Sequence, residues 1–164
     1  MELRDRINSR LRHYDYSTCG AYFVTICTHK RKEILSKIRR GDPCGRPEIQ
    51  VSRLGWIVAE TFPRIAEKFN VIFDTWVIMP DHIHFVVFLP EQGVTVGRIV
   101  GAFKSIVSRE WLVVCKAENR LMGEIWQRNY YEHVIRNDED LTEIRRYIAE
   151  NPARWLEGRQ MLGD

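Results

Sequence analysis

The chain has 164 residues, 45% of them hydrophobic and 29% charged. That is one ordinary globular domain, residues 1–164, with enough apolar matter for a core without disulfides or metal, which excludes global disorder. No apolar run approaches the roughly 18 residues of a membrane-spanning helix, and residues 1–12 carry Arg4, Arg6, Arg10 and Arg12 with no apolar signal core, so no membrane association and a cytoplasmic location are expected.

The formal charge is only +3. Its distribution is uneven: residues 30–46 hold seven basic residues against two acidic ones, and residues 124–150 hold four against seven. Such a chain can present a positive face despite its modest total. The cysteines Cys19, Cys27, Cys44 and Cys115 form no C-x-x-C pair and fit no zinc spacing; Cys27 and Cys115 sit in apolar runs and read as core residues.

In chain order, residues 1–19 read as a basic arm. Residues 21–28 are β-branched and aromatic and read as a strand. Residues 30–50 read as a loop, with a Gly/Pro-rich stretch at 38–50 that looks like an insertion. Residues 52–68 carry an apolar stripe at helical spacing with Ser52 as N-cap, and Pro63 is expected to kink or shorten that helix. Residues 71–79 and 84–89 read as two strands joined by a turn at Pro80-Asp81. Residues 95–114 read as a long amphipathic helix capped by Thr95. Residues 125–135 read as a fourth strand. Residues 138–150 read as a helix that Asn151-Pro152 ends. The expected class is α+β, a ferredoxin-like or RRM-like antiparallel sheet of βαββαβ order with an additional C-terminal helix.

Two groups of residues carry chemistry. In Met79-Pro80-Asp81-His82-Ile83-His84, the histidines are two apart and enter a strand, so their imidazoles share a face. Such a pair either holds one metal ion or stands on a wet sheet face. On the last helix, Tyr147 and Asn151 are four apart and so share a face. They are either a nucleophile and an amide ligand, or a core tyrosine and a cap.

These motifs occur together with Phe103-Lys104-Ser105, a stretch from Trp126 to Arg136, and Tyr147-Ile148-Ala149-Glu150-Asn151-Pro152. In that order and spacing the chain resembles the REP-associated tyrosine transposases, single-tyrosine HUH nucleases related to the IS200/IS605 transposases. The resemblance spans about residues 12–156. It implies that His82 and His84 are metal ligands and that Tyr147 is the nucleophile. Asn151 is the candidate third ligand, and His133 has a supporting role. The family motif usually has Asn where this chain has Asp81, whose carboxylate either adds charge near the metal or caps the turn.

The resemblance further implies a divalent Mg2+ or Mn2+ ion and no small-molecule organic cofactor. It implies single-stranded hairpin DNA as partner, a transient 5′-phosphotyrosine link, and a monomer. Arg12, Arg98, Lys104, Arg109, Arg128 and Arg136 are the candidate DNA contacts. The competing reading is a non-catalytic nucleic-acid-binding module of RRM-like fold, with Tyr130 and Tyr131 stacking bases.

Overall fold

The computed structural model describes residues 20–41, 45–89 and 93–160. The N-terminal arm with Arg12, and both Cys19 and Cys44, lie outside the described residues. Strand β1 (Gly20–Cys27) is followed by a 3-10 turn at His29–Arg31 and a hairpin of β2 (Ser36–Arg40) and β3 (Pro47–Val51). Then come α1 (Arg53–Phe69), β4 (Ile72–Ile78), β5 (His82–Leu89), α2 (Val96–Ala117), β6 (Tyr131–Ile135) and α3 (Asp138–Gln160).

The main sheet has the order β4-β5-β1-β6, and each of its pairs is antiparallel. This is the ferredoxin-like arrangement expected from the element order. Strand alternation sorts the two faces. Tyr22, Val24, Ile26, Ile83, Phe85 and Val87 pack against α1 and α2 with Phe62, Ile99 and Phe103. Ala21, Phe23 and Val86 pack the other way with Ile148 and Trp155 of α3 and Ile38 and Ile49 of the hairpin. Both faces of β1 and β5 are therefore covered, which is why these strands read as continuous apolar runs. Among the described residues no helix is long and apolar enough to cross a membrane.

Four expectations change. Residues 30–50 are not simply a loop: Ser36–Arg40 and Pro47–Val51 pair in register, with Ile38 opposite Ile49. Between those strands, the Gly41 amide donates to the Arg46 carbonyl at 2.8 Å. Helix α1 runs through Pro63 to Phe69, and α3 runs through Pro152 to Gln160. A helical proline costs roughly 3 kcal/mol. Burial of Phe62 and Ile65 in α1, and packing of Ile148 and Trp155 in α3, oppose that cost.

The fourth change is the late start of β6 at Tyr131. Ahead of it, Trp126 forms an isolated bridge to Thr28, flanked by bonds from the Gln127 amide to the Cys27 carbonyl and from the His29 amide to the Ile125 carbonyl. The carbonyls of Gln127, Arg128 and Asn129 instead accept from the Lys104 ammonium at 2.8, 3.1 and 3.3 Å. They are drawn out of any ladder.

Candidate active site

The site lies where the C-terminal end of β1 meets the start of β5. His82 is opposite Cys27, and His84 is opposite Thr25. The turn before β5 is pinned from both sides. Met79 donates to the His82 carbonyl at 2.9 Å, Leu35 to the Pro80 carbonyl at 3.0 Å, and Thr28 to the Asp81 carbonyl through both its amide and its hydroxyl.

Both imidazoles are buried, and their Nε2 atoms face each other at 3.0 Å. Their outer nitrogens are engaged. His82 Nδ1 lies 2.6 Å from Asp81 Oδ1, and His84 Nδ1 lies 2.7 Å from Thr25 Oγ1. A carboxylate only accepts, so the His82 proton belongs on Nδ1 and its Nε2 carries a lone pair. The Thr25 hydroxyl can donate to or accept from His84, so that ring is free to present a lone pair as well. Burial, with the neighbouring His82 and Arg31 adding to it, pushes His84 down to about 3, so it is neutral at ordinary pH.

Asp81 is the carboxylate behind this pair. Its Oδ2 lies 2.7 Å from Arg31 Nε, and Arg31 Nη1 donates to Cys27 Sγ at 2.8 Å. With one oxygen on His82 and the other on Arg31, Asp81 fixes the orientation of the His82 ring. Beyond its place in the basic stretch at 30–46, nothing local in the sequence marks Arg31. Its backbone is left-handed at φ 55, as is that of Lys30 at φ 53, a conformation that only the folded loop selects.

Tyr147 and Asn151 come from α3 on the same face of the sheet. The Tyr147 ring centroid is 5.4 Å from that of His84 and 6.0 Å from that of Phe23, and its side chain is 39% exposed. Asn151, one turn further along, is 9% exposed. Trp155, a further turn on, has its ring 6.2 Å from His82. The guanidinium of Arg154 stands 5.7 Å from the Tyr147 ring and is paired with Glu150 at 2.7 Å. Helix α3 is tied to the sheet by Arg145, which forms a bidentate pair with Asp74 of β4 at 2.8 and 2.5 Å.

The donor set fits a small divalent cation. Two cis ligands of an octahedral ion with bonds of about 2.1 Å lie about 3.0 Å apart, which is the separation of the two Nε2 atoms. Among the described residues no group of three or more His, Cys, Asp or Glu could hold a metal. A cation held there would have only two imidazole ligands from these residue types and would need further donors from an amide, water or phosphate oxygens.

The candidate DNA contacts are scattered. Arg98, Lys104 and Arg109 belong to α2, which packs on the opposite face of the sheet from the histidines. Lys104 is occupied by three carbonyls, and burial lowers its pKa. Arg98 donates to the Gly93 carbonyl and lies 5.9 Å from the Phe69 ring. Arg128 and Arg136 are exposed just before and just after β6. His133 shares the face of Tyr147 but is paired with Asp140 at 3.0 Å, near the start of α3.

Residues 15–151 match the family model described as "Transposase IS200 like". An uncharacterized protein of Haemophilus influenzae is 31% identical over 93% of this chain and 91% of its own length. The REP-associated tyrosine transposase of Escherichia coli is 30% identical over 49% of this chain and 44% of its own length. Among solved structures, a REP-associated tyrosine transposase bound to a REP hairpin superposes with a TM-score of 0.65 at 20% identity, over 90% of this chain and 74% of that one.

Proposed function

From the premise that this chain belongs to the IS200-like transposase family and is a DNA transposase, we propose that it cleaves and rejoins single-stranded DNA beside a REP-type hairpin, with Tyr147 as the nucleophile. The observation that carries this reading is the convergence on one sheet face of the paired His82 and His84 Nε2 atoms and the Tyr147 ring. The hairpin is the ligand of the similar solved transposase.

The Tyr147 phenol gives up its proton to solvent as its oxygen bonds to the scissile phosphorus, the bond from phosphorus to the 3′ oxygen breaks, and the 3′ oxygen takes up a proton, so no net proton is gained or lost. The products are a 5′-phosphotyrosine and a free 3′ hydroxyl, so the reverse attack reseals a strand. Tyr147 is exposed and adjacent to the buried histidines, which brings nucleophile and phosphate into one small volume. His82 and His84 would hold a divalent ion, Mg2+ or Mn2+, with Asn151 as the third protein ligand. Such an ion neutralises and orients a non-bridging phosphate oxygen when bound. Asp81 keeps the His82 ring in the ligating tautomer. Helix α3 carries both Tyr147 and Asn151, so its anchoring to β4 through Arg145 and Asp74 sets the distance between nucleophile and ligands. The chain acts as a monomer in the cytoplasm, without an organic cofactor.

The test is incubation of labelled single-stranded hairpin DNA with the protein, with and without Mn2+, followed by a denaturing gel. A covalent protein–DNA band that needs the metal and is absent in Tyr147→Phe is expected. Tight binding with no covalent band under any divalent metal would overturn the catalytic reading in favour of a binding module.

A further inference from the structure

We infer that Tyr131 forms a stacking subsite for a nucleobase of the single strand next to the scissile phosphate, an inference that rests on the function proposed above. Tyr131 is at the start of β6, opposite Thr25 of β1, and Thr25 is in turn opposite His84 of β5. The three residues form one row across the sheet on the face that carries Tyr147. Two strand spacings, about 10 Å, separate Tyr131 from the histidine site.

An aromatic contact joins the same two points. Phe23 meets the Tyr131 ring edge-on at 6.2 Å and the Tyr147 ring edge-on at 6.0 Å, and lies 5.3 Å from the His84 ring. Phe23 itself is buried, so it serves as a floor with an exposed tyrosine standing on either side. Helix α3 packs against β4, β5 and the hairpin. Tyr131, on the edge strand β6, is 46% exposed, more than Tyr147 at 39%.

The neighbouring Tyr130 is placed differently. Its hydroxyl reaches toward Glu132, its ring lies under the Lys104 ammonium, and its oxygen is near Gly97 of α2. Of the two adjacent tyrosines, therefore, only Tyr131 offers a ring on the catalytic face. Single-stranded DNA presents a π-face at every base, and proteins that hold it stack those faces on aromatic side chains. The phosphate that Tyr147 attacks must pass beside His84. A base attached next to that phosphate is within reach of Tyr131 across the Phe23 floor.

The experiment uses the full chain carrying Tyr147→Phe, which stops cleavage, and a hairpin oligonucleotide with a single-stranded extension. 2-Aminopurine is placed at one extension position at a time. One position beside the cleavage site is expected to lose fluorescence on binding. Adding Tyr131→Leu restores the fluorescence at that position alone and weakens binding by about ten-fold, within the range for one lost base stack. Adding Tyr131→Phe preserves both signals, because stacking needs the ring and not the hydroxyl. Quenching and affinity that survive Tyr131→Leu, in a variant that melts as its parent does, would overturn the subsite and leave the transposase reading intact. Failure of the parent protein to bind the hairpin at all would overturn both.

Discussion

Asp81 Oδ1 stands 2.6 Å from His82 Nδ1, and this contact decides which nitrogen of His82 is left to bind. The carboxylate removes one proton-bearing nitrogen from play, and the Arg31 guanidinium on its other oxygen keeps it there. Replacing Asp81 by Ala is expected to weaken Mn2+ binding by about 10- to 100-fold, as loss of an orienting partner does at comparable sites. Titration of the protein with Mn2+, followed by the paramagnetic signal of the free ion, measures it. Equal affinity in the variant would show that the ring needs no orientation from this carboxylate.

Tyr147→Phe removes one oxygen and leaves the ring between Phe23 and His84. Cleavage should vanish while affinity for hairpin DNA and the melting temperature stay within error of the parent. His82→Ala and His84→Ala should also abolish cleavage, but with loss of Mn2+ binding. The contrast between the two kinds of inactive protein is read by combining a gel assay with a metal titration.

Burial first, then the neighbouring His82 and Arg31, pushes His84 from the ordinary histidine value down to about 3. The unfolded chain takes up this proton as the pH falls below about 6.5, whereas the folded chain refuses it until about pH 3. Folding is therefore favoured above pH 6.5 and loses stability progressively between 6.5 and 3. Melting temperatures of the metal-free protein between pH 8 and 4 should fall more steeply than those of His84→Gln. Parallel curves would show that this ring is not the group responsible.

Gly55, in the first turn of α1, has no room for a side chain. A Cβ there would come 2.1 Å from the Leu35 carbonyl oxygen, a backbone atom. That carbonyl accepts from Ser52, and the Leu35 amide donates to Pro80 in the turn that leads to His82. Gly55→Ala should cost about 1–3 kcal/mol of stability, the usual range for forced overpacking. The strain should also reach the His82 and His84 pair and lower Mn2+ affinity. Denaturant unfolding and the same titration give both readouts.

The Arg145–Asp74 pair ties α3 to β4 and draws the Asp74 carboxyl below its usual value, chiefly through the hydrogen bonds from Arg145. Arg145→Met should slow cleavage without changing Mn2+ binding at the histidines. Its effect should be far smaller than that of Tyr147→Phe, because the pair is partly exposed and screened by solvent. Hydrogen exchange of α3 amides should quicken in the variant. Unchanged exchange would mean that the apolar contacts of Ile148 and Trp155 anchor the helix alone.

Much of this protein is legible in its sequence, because the signals are local. Alternation put His82 and His84 on one face of the sheet, and a four-residue spacing put Tyr147 and Asn151 on one side of α3. Ser52 and Thr95 are N-caps in the folded chain as their side chains suggest, accepting from Gly55 and Arg98. Cys27 and Cys115 are buried thiols, as their apolar surroundings imply. The order of strands and helices was enough to name the ferredoxin-like sheet.

What remained hidden depends on partners far away in the chain. Pro63 and Pro152 are breakers by local rules, yet their helices continue because the faces they carry are buried against the sheet. The extension past Pro152 is what carries Trp155 to His82. The hairpin at residues 36–51 was masked by glycines and prolines, since its two strands are recognisable only from each other's register. The lysine at 104 resembles a phosphate contact in sequence and is bound to three carbonyls in space. Arg31 reaches Asp81 only because two consecutive residues adopt left-handed backbone. The types of side chain and their periodicity determined which groups could do the chemistry; long-range packing decided that the histidines of β5 and the tyrosine of α3 would meet, because only burial on both faces of one sheet holds elements more than sixty residues apart within a ring's width.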